Sequence, residues 1–256
     1  FRGTGAMKSI SKDGTTVDMA QSWGYYTSFD KAIDNTTDDG SRPDQVRPYG
    51  FSRACSTCTD ILTLSYFHEQ NSGAYVFRPS TPNQELRVIP YANDAAKFVN
   101  TSAGVEVHVE FEVPWIKQVI RVMNNLPYIE VEYSVGPVPV DDGRGKEIVM
   151  RLSTPIQSNA TFYTDSNGRE LLKRRRNYRP SWPLKLYEPV AGNFYPVNGG
   201  ISISDEKASL SVLVDRTVAG SSLADGSIEL MLQRRTLADD SRGVGEPMNE
   251  TDGGVT

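Results

Sequence analysis

The chain has 256 residues, 38% of them hydrophobic, and a mean hydropathy of -0.43. That suffices for a packed core, carries no mark of wholesale disorder, and leaves room for one large β domain or two ordinary ones. A net charge of -5 and a pI near 5.2 argue against a nucleic-acid binder, and no window holds the roughly 18 uninterrupted apolar residues of a membrane helix.

The sequence opens Phe1-Arg2-Gly3-Thr4, without an initiator methionine or a signal peptide, so it is expected to start inside a longer protein, after processing or truncation. From Gly5 to Met19 the apolar residues flank Asp13-Gly14, a pair suited to the tight turn of a hairpin. Ser22 to Phe29 reads as a further strand. Residues 30–70 form a polar surface insertion, expected to be mobile or partly disordered over Asp30 to Pro48. Cys55 and Cys58, the only cysteines, lie in this insertion. Zinc would need two more ligands, and the chain has only His68 and His108 to offer. A redox pair belongs at the start of a helix in a βαβ unit, and none follows Cys58. A local disulfide in an oxidising compartment is the favoured reading.

Ser72 to Pro79 restores an ordered pattern. Val105, Val107, Val109, Phe111 and Val113 alternate with Glu106, His108, Glu110 and Glu112: a half-buried strand with His108 on its wet face. Ile116 to Met123 is a second strand, Asn124 to Pro127 a turn, and Ile129 to Val135 a third strand. Such a meander, uninterrupted by a helical period, predicts an antiparallel sandwich. Glu147 to Leu152 follows the turn residues Asp142-Gly143-Arg144-Gly145.

The most distinctive stretch runs from Phe162 to Asn198 and reads as a polar, aromatic connection held on strands. Asp165-Ser166-Asn167-Gly168 is turn chemistry, and Lys173-Arg174-Arg175-Arg176 is expected to pair with the acidic surface. Ile201 and Ile203, Ser209 to Asp215 and Ile228 to Leu232 are strand-like, and residues 249–256 form a polar tail. Sequons at Asn35, Asn100, Asn159 and Asn249 are candidate glycosylation sites and point, together, to the secretory pathway.

Four blocks carry a resemblance: Ser72 to Pro79, Ser134 to Val140, Phe162 to Arg179 with Glu188 to Asn198, and Asp215-Arg216 through Arg234-Arg235 to Gly243. In order and spacing they resemble the C-terminal half of the class II α-mannosidases, glycoside hydrolase family 38, most of all the lysosomal or plant vacuolar branch. The resemblance implies an all-β, antiparallel supersandwich of galactose-mutarotase-like type. Residues 1–256 would make up most of that one domain, interrupted by the insertion at about 30–70. It implies a retaining, zinc-dependent hydrolase of terminal α-D-mannosyl residues of N-glycans. The nucleophile and zinc ligands would lie on a separate N-terminal catalytic domain, so this chain alone would be inert.

By the same resemblance Tyr75 and one of Arg234 and Arg235 line the sugar pocket, only one because adjacent strand residues face opposite ways. Asp239, Asp240 and Arg242 are expected to hold the loop after Arg234-Arg235 by ion pairs and hydrogen bonds. The implied partners are the other chains of the same processed enzyme and mannose-containing glycans, in a higher oligomer within a lysosome or vacuole, or secreted. The alternative is a free-standing carbohydrate-binding β-sandwich module, stacking sugars on Trp115, Trp182 or Tyr187. A Cys-x-x-Cys redox protein is a third, weaker reading.

Overall fold

A computed structural model describes residues 7–12, 15–34 and 70–250. The predicted insertion beyond residue 34, both cysteines, the Asn35 sequon and residues 251–256 of the tail lie outside the described residues.

β1 (Ser9–Lys12) and β2 (Thr15–Asp18) pair antiparallel, with Lys12 opposite Thr15. Asp13 and Gly14, the pair expected to form the turn, lie outside the described residues. β3 (Ala20–Thr27) follows, then a single helical turn, Lys31–Asp34. β4 (Arg87–Ile89) and β5 (Tyr91–Thr101) precede the predicted meander, which forms as β6 (Gly104–Phe111), β7 (Ile116–Met123) and β8 (Ile129–Val135). β5 is a fourth strand of that sheet, in the order β5-β6-β7-β8. Its alternation is interrupted by a register irregularity between Tyr91 and Ala96, with Asp94 at positive φ, which hides it from a period-two reading.

β9 (Lys146–Ser153), β10 (Thr161–Asp165) and β11 (Leu171–Arg175) come next. A 3-10 turn, Ala191–Asn193, leads into β12 (Tyr195–Val197), β13 (Gly200–Ser204), β14 (Ser209–Leu213), β15 (Val218–Ser221) and β16 (Ser227–Arg235). They complete a six-stranded sheet, β12-β15-β16-β9-β3-β4, and a four-stranded one, β11-β10-β13-β14. Every described ladder between these strands is antiparallel. The protein is all-β, as the patterns predicted.

The stretch from Phe162 needs correction. Its first half is not a connection but the β10–β11 hairpin, and the basic run occupies an edge strand and the residue after it. Strand alternation then separates the cations. Arg174 lies over the Tyr195 ring at 4.3 Å, Arg175 over Tyr178 at 5.4 Å, and Arg176 pairs with Asp225 at 2.8 Å. Only the last is the acidic pairing expected; a guanidinium stacks on an aromatic face as readily as it binds a carboxylate.

β9 is buried along almost its whole length because both faces of the six-stranded sheet are covered. On one face Trp23, Ile148, Met150, Leu152, Ile228 and Leu230 join the main core, with Val107, Ile116 and Ile120 from the meander and Phe162, Ile201 and Ile203 from the other sheet. A buried polar link crosses this core. Trp23 Nε1 donates to Gln118 Oε1 at 2.8 Å, and the amides of Gln21 and Gln118 bond each other reciprocally at 2.9 Å. The opposite face carries a smaller cluster of Tyr26, Leu86, Val149, Val190 and Met231, roofed by Phe77 and Phe194. The predicted sugar-pocket residues lie on the loops and strand end of this second side.

Candidate functional site

On β3, β9 and β16 the side chains that point to the second face are not all apolar. Glu229 stands directly opposite Arg151, and Arg234 directly opposite Glu147, across the β16–β9 ladder. Both glutamates are fully buried, a position tolerated only when the charge is paired and its lone pairs are satisfied. Glu229 accepts from Arg151 Nε at 2.7 Å and from the Tyr26 hydroxyl at 2.9 Å. Burial pushes the Glu229 carboxyl above its ordinary range, with the Arg151 guanidinium pulling against that shift. Burial, then the Glu229 charge, also raises the Tyr26 hydroxyl.

Glu147 binds Arg234 through Nε and, at 3.2 Å, through the second guanidinium nitrogen. Its Oε1 also accepts from Ser28 Oγ at 2.9 Å and Ser72 Oγ at 2.6 Å. Held by this anion, the Arg234 guanidinium donates to the carbonyls of Ala74 at 3.3 Å and Val76 at 2.9 Å, the two residues that bracket Tyr75.

Residues 73–76 form a tight turn closed by a bond from Gly73 N to Val76 O at 2.8 Å. Its outer side is held by Asp240, which is fully buried. One carboxylate oxygen accepts from Tyr75 N at 2.6 Å and Val76 N at 3.0 Å, and the other accepts from Arg242 N at 3.0 Å. Gly73 is required by close approach: a Cβ there would stand 2.7 Å from both Cβ and N of Asp240. Arg78, at the end of the same loop, is buried with its Nε 2.7 Å from Glu188 Oε1 and its guanidinium 4.2 Å from the Phe29 ring centre. On this base the Tyr75 side chain projects outward, 69% exposed.

The structure therefore brings Tyr75 and Arg234 together and sets Arg235 apart. Arg235 donates to Val138 O and, at 3.0 Å, to Asn249 O. Asp240 holds the loop that carries Tyr75, and the Arg242 side chain reaches the same loop by donating to Gln70 Oε1. Asp239 Oδ2 accepts from Ser241 N at 2.9 Å, within its own turn. Sequence reasoning missed Glu147 and the carboxylate clamp at Asp240. A glutamate leading an otherwise apolar strand, Glu147-Ile148-Val149-Met150, was the available signal for the first; the second depends on residues 165 positions apart.

His108 is exposed, 3.4 Å from Glu106, as a surface residue should be. Asn100 and Asn249 are exposed, and so is Asn159, whose φ of 49° places it in a turn. The aromatic side chains of the stacking alternative do not share one environment. Trp115 packs against the main core, Trp182 is exposed, and the Tyr187 ring is covered by Lys185 at 4.6 Å.

The antiparallel all-β fold agrees with the sequence match. Residues 53–242 match the model of the glycosyl hydrolases family 38 C-terminal domain, and the chain belongs to that family. It is 52% identical over 186 residues to the lysosomal α-mannosidase of Bos taurus and 51% identical over 188 residues to that of Homo sapiens, each match covering 73% of this chain. To the α-mannosidase of Canavalia ensiformis it is 48% identical over 184 residues, 71% of this chain. In each case the match spans 18% of the relative's length.

Proposed function

We propose that this chain is a non-catalytic wall of a lysosomal- or vacuolar-type α-mannosidase, a retaining, zinc-dependent hydrolase of terminal α-D-mannosyl residues of N-glycans. The observation that carries the reading is the Tyr75 turn: an exposed phenol on a rigid base, with Arg234 directly beneath it. A phenol presented in this way donates to or accepts from a sugar hydroxyl without first having to be ordered, which preserves affinity. Arg234 supports it from below, one nitrogen of its guanidinium making a single bond, to Ala74 O. Arg235 is assigned a structural part.

This reading places the nucleophile, the general acid and the zinc ligands on an N-terminal catalytic domain of the same protein. On this reading the chain's own share is binding and orientation of the sugar. The partners on this reading are the remaining chains of the processed enzyme and mannose-containing glycans, within a higher oligomer.

Steady-state kinetics of the full-length polypeptide on an aryl α-mannoside test it. Tyr75→Phe, which removes one hydrogen bond, should lower kcat/KM about three- to tenfold, and Tyr75→Ala about tenfold or more. Unaltered kinetics in both variants would remove Tyr75 from the site. The reading as a whole fails if the chain, produced alone, hydrolyses the same substrate.

A further inference from the structure

Tyr75 has an unusual requirement. Its side chain is 69% exposed, so packing around the ring does little to aim it. Its backbone, by contrast, is firmly held. That backbone is gripped by two opposite charges: the Asp240 carboxylate on the N–H groups of Tyr75 and Val76, and the Arg234 guanidinium on the carbonyls of Ala74 and Val76. Each charge sits at the complementary end of the peptide dipoles, and charge-assisted bonds of this kind are about twice as strong as neutral ones.

We propose that Asp240 is a positioning residue that fixes where the Tyr75 phenol stands, so that sugar binding senses a carboxylate that never touches the sugar. The proposal rests on the assignment of Tyr75 to the sugar pocket. Three features tie Asp240 to the turn rather than to its own strand end. One of its oxygens serves only the Tyr75 and Val76 amides. Gly73 lacks the Cβ that would force Asp240 away, and Gln70 Nε2 bonds the Asp240 carbonyl from the same loop. The other oxygen, bound to Arg242 N, stops the carboxylate rotating out of this grip. A displacement of about 1 Å in a group that orients substrate lowers rate or affinity up to about a hundredfold, so a clamp on the main chain has ample leverage.

The test is a double-mutant cycle in the full-length polypeptide, read as kcat and KM on an aryl α-mannoside and accompanied by thermal unfolding. Asp240→Ala should lower kcat/KM tenfold or more, mainly through KM. Asp240→Asn, which keeps an acceptor oxygen of the same shape, should recover part of that loss. In a Tyr75→Ala background Asp240→Ala should change kcat/KM less than twofold, because the group it aims is gone. Equal losses in the two backgrounds would overturn the positioning role while leaving Tyr75 in the pocket. A Tyr75→Ala enzyme with parental kinetics would instead remove the pocket assignment, and this proposal with it. Should Asp240→Ala fail to fold, Asp240→Asn and Gly73→Ala run through the same cycle with the same criteria.

Discussion

Asp165 is buried at the end of β10 and spends its carboxylate on main-chain amides. Oδ1 accepts from Asn198 N at 2.8 Å, Gly199 N at 2.8 Å and Gly200 N at 3.0 Å, while Oδ2 accepts from Gly168 N at 2.9 Å. Those bonds, led by the ones from Gly199 and Gly200, pull its pKa from the ordinary aspartate value down to about 2. A lowered acid pKa contributes stability that is present above the unfolded value near 3.8 and is lost as pH falls through about 2. Asp165→Asn turns an amide NH2 toward one of these donors and should cost about 1–3 kcal/mol. The check is a melting temperature lower than the parent's at pH 6, with the gap closing as the pH is taken toward 2. The turn chemistry of Asp165 to Gly168 was readable from residue type alone, and Asn167 and Gly168 take the positive φ it calls for, 50° and 69°. The reach of the same side chain to Asn198 was not, because that bond closes a loop between strands whose pairing no local pattern specifies.

The β10–β11 hairpin shows how an element made of unpromising residues is held. β11 is Leu171-Leu172-Lys173-Arg174-Arg175, an edge strand whose charges also discourage pairing with another chain. Its anchor is Tyr195, clasped by Arg174 at 4.3 Å and Arg179 at 4.9 Å and set edge-on to Phe162 at 5.7 Å. Each cation–ring contact is worth about 0.5–2 kcal/mol. Replacing the ring by leucine keeps apolar volume but removes both contacts. Tyr195→Leu should therefore speed hydrogen exchange of the Leu171–Arg175 amides about tenfold or more while leaving β9 protected; an unchanged rate would show that strand pairing alone holds the edge. At this scale the sequence was legible where alternation was clean, as in β6, β7 and β8. It was not legible in β5, where Asn93-Asp94-Ala95-Ala96 supplies weak strand formers and an irregular register.

For the molecule as a whole, order of protection should follow burial. β9, covered on both faces and paired on both edges, should exchange slowest. β8, β11 and β14, edge strands without a fully buried residue, should exchange fastest. Hydrogen–deuterium exchange followed by peptide mass analysis reads this directly; β8 outlasting β9 would mean that the main core is organised on the meander instead. The same hierarchy explains how the candidate site is held although it lies on loops: the Tyr75 turn is bonded to the end of β16 through Arg234, which Glu147 of β9 holds, and to the segment after β16 through Asp240.

Alternating apolar residues, turn pairs and four long blocks by themselves determined the all-β class, most of the strands and the family, since each of these is written in short-range spacing or in matched residues. Which arginine stands with Tyr75, what the buried Glu147 is for, and that Asp240 grips the turn were decided only by the tertiary structure. Those facts depend on the β16–β9 register and on contacts between segments some 160 residues apart, where a buried charge must find its partner in space because low polarity around it leaves no other way to be stable.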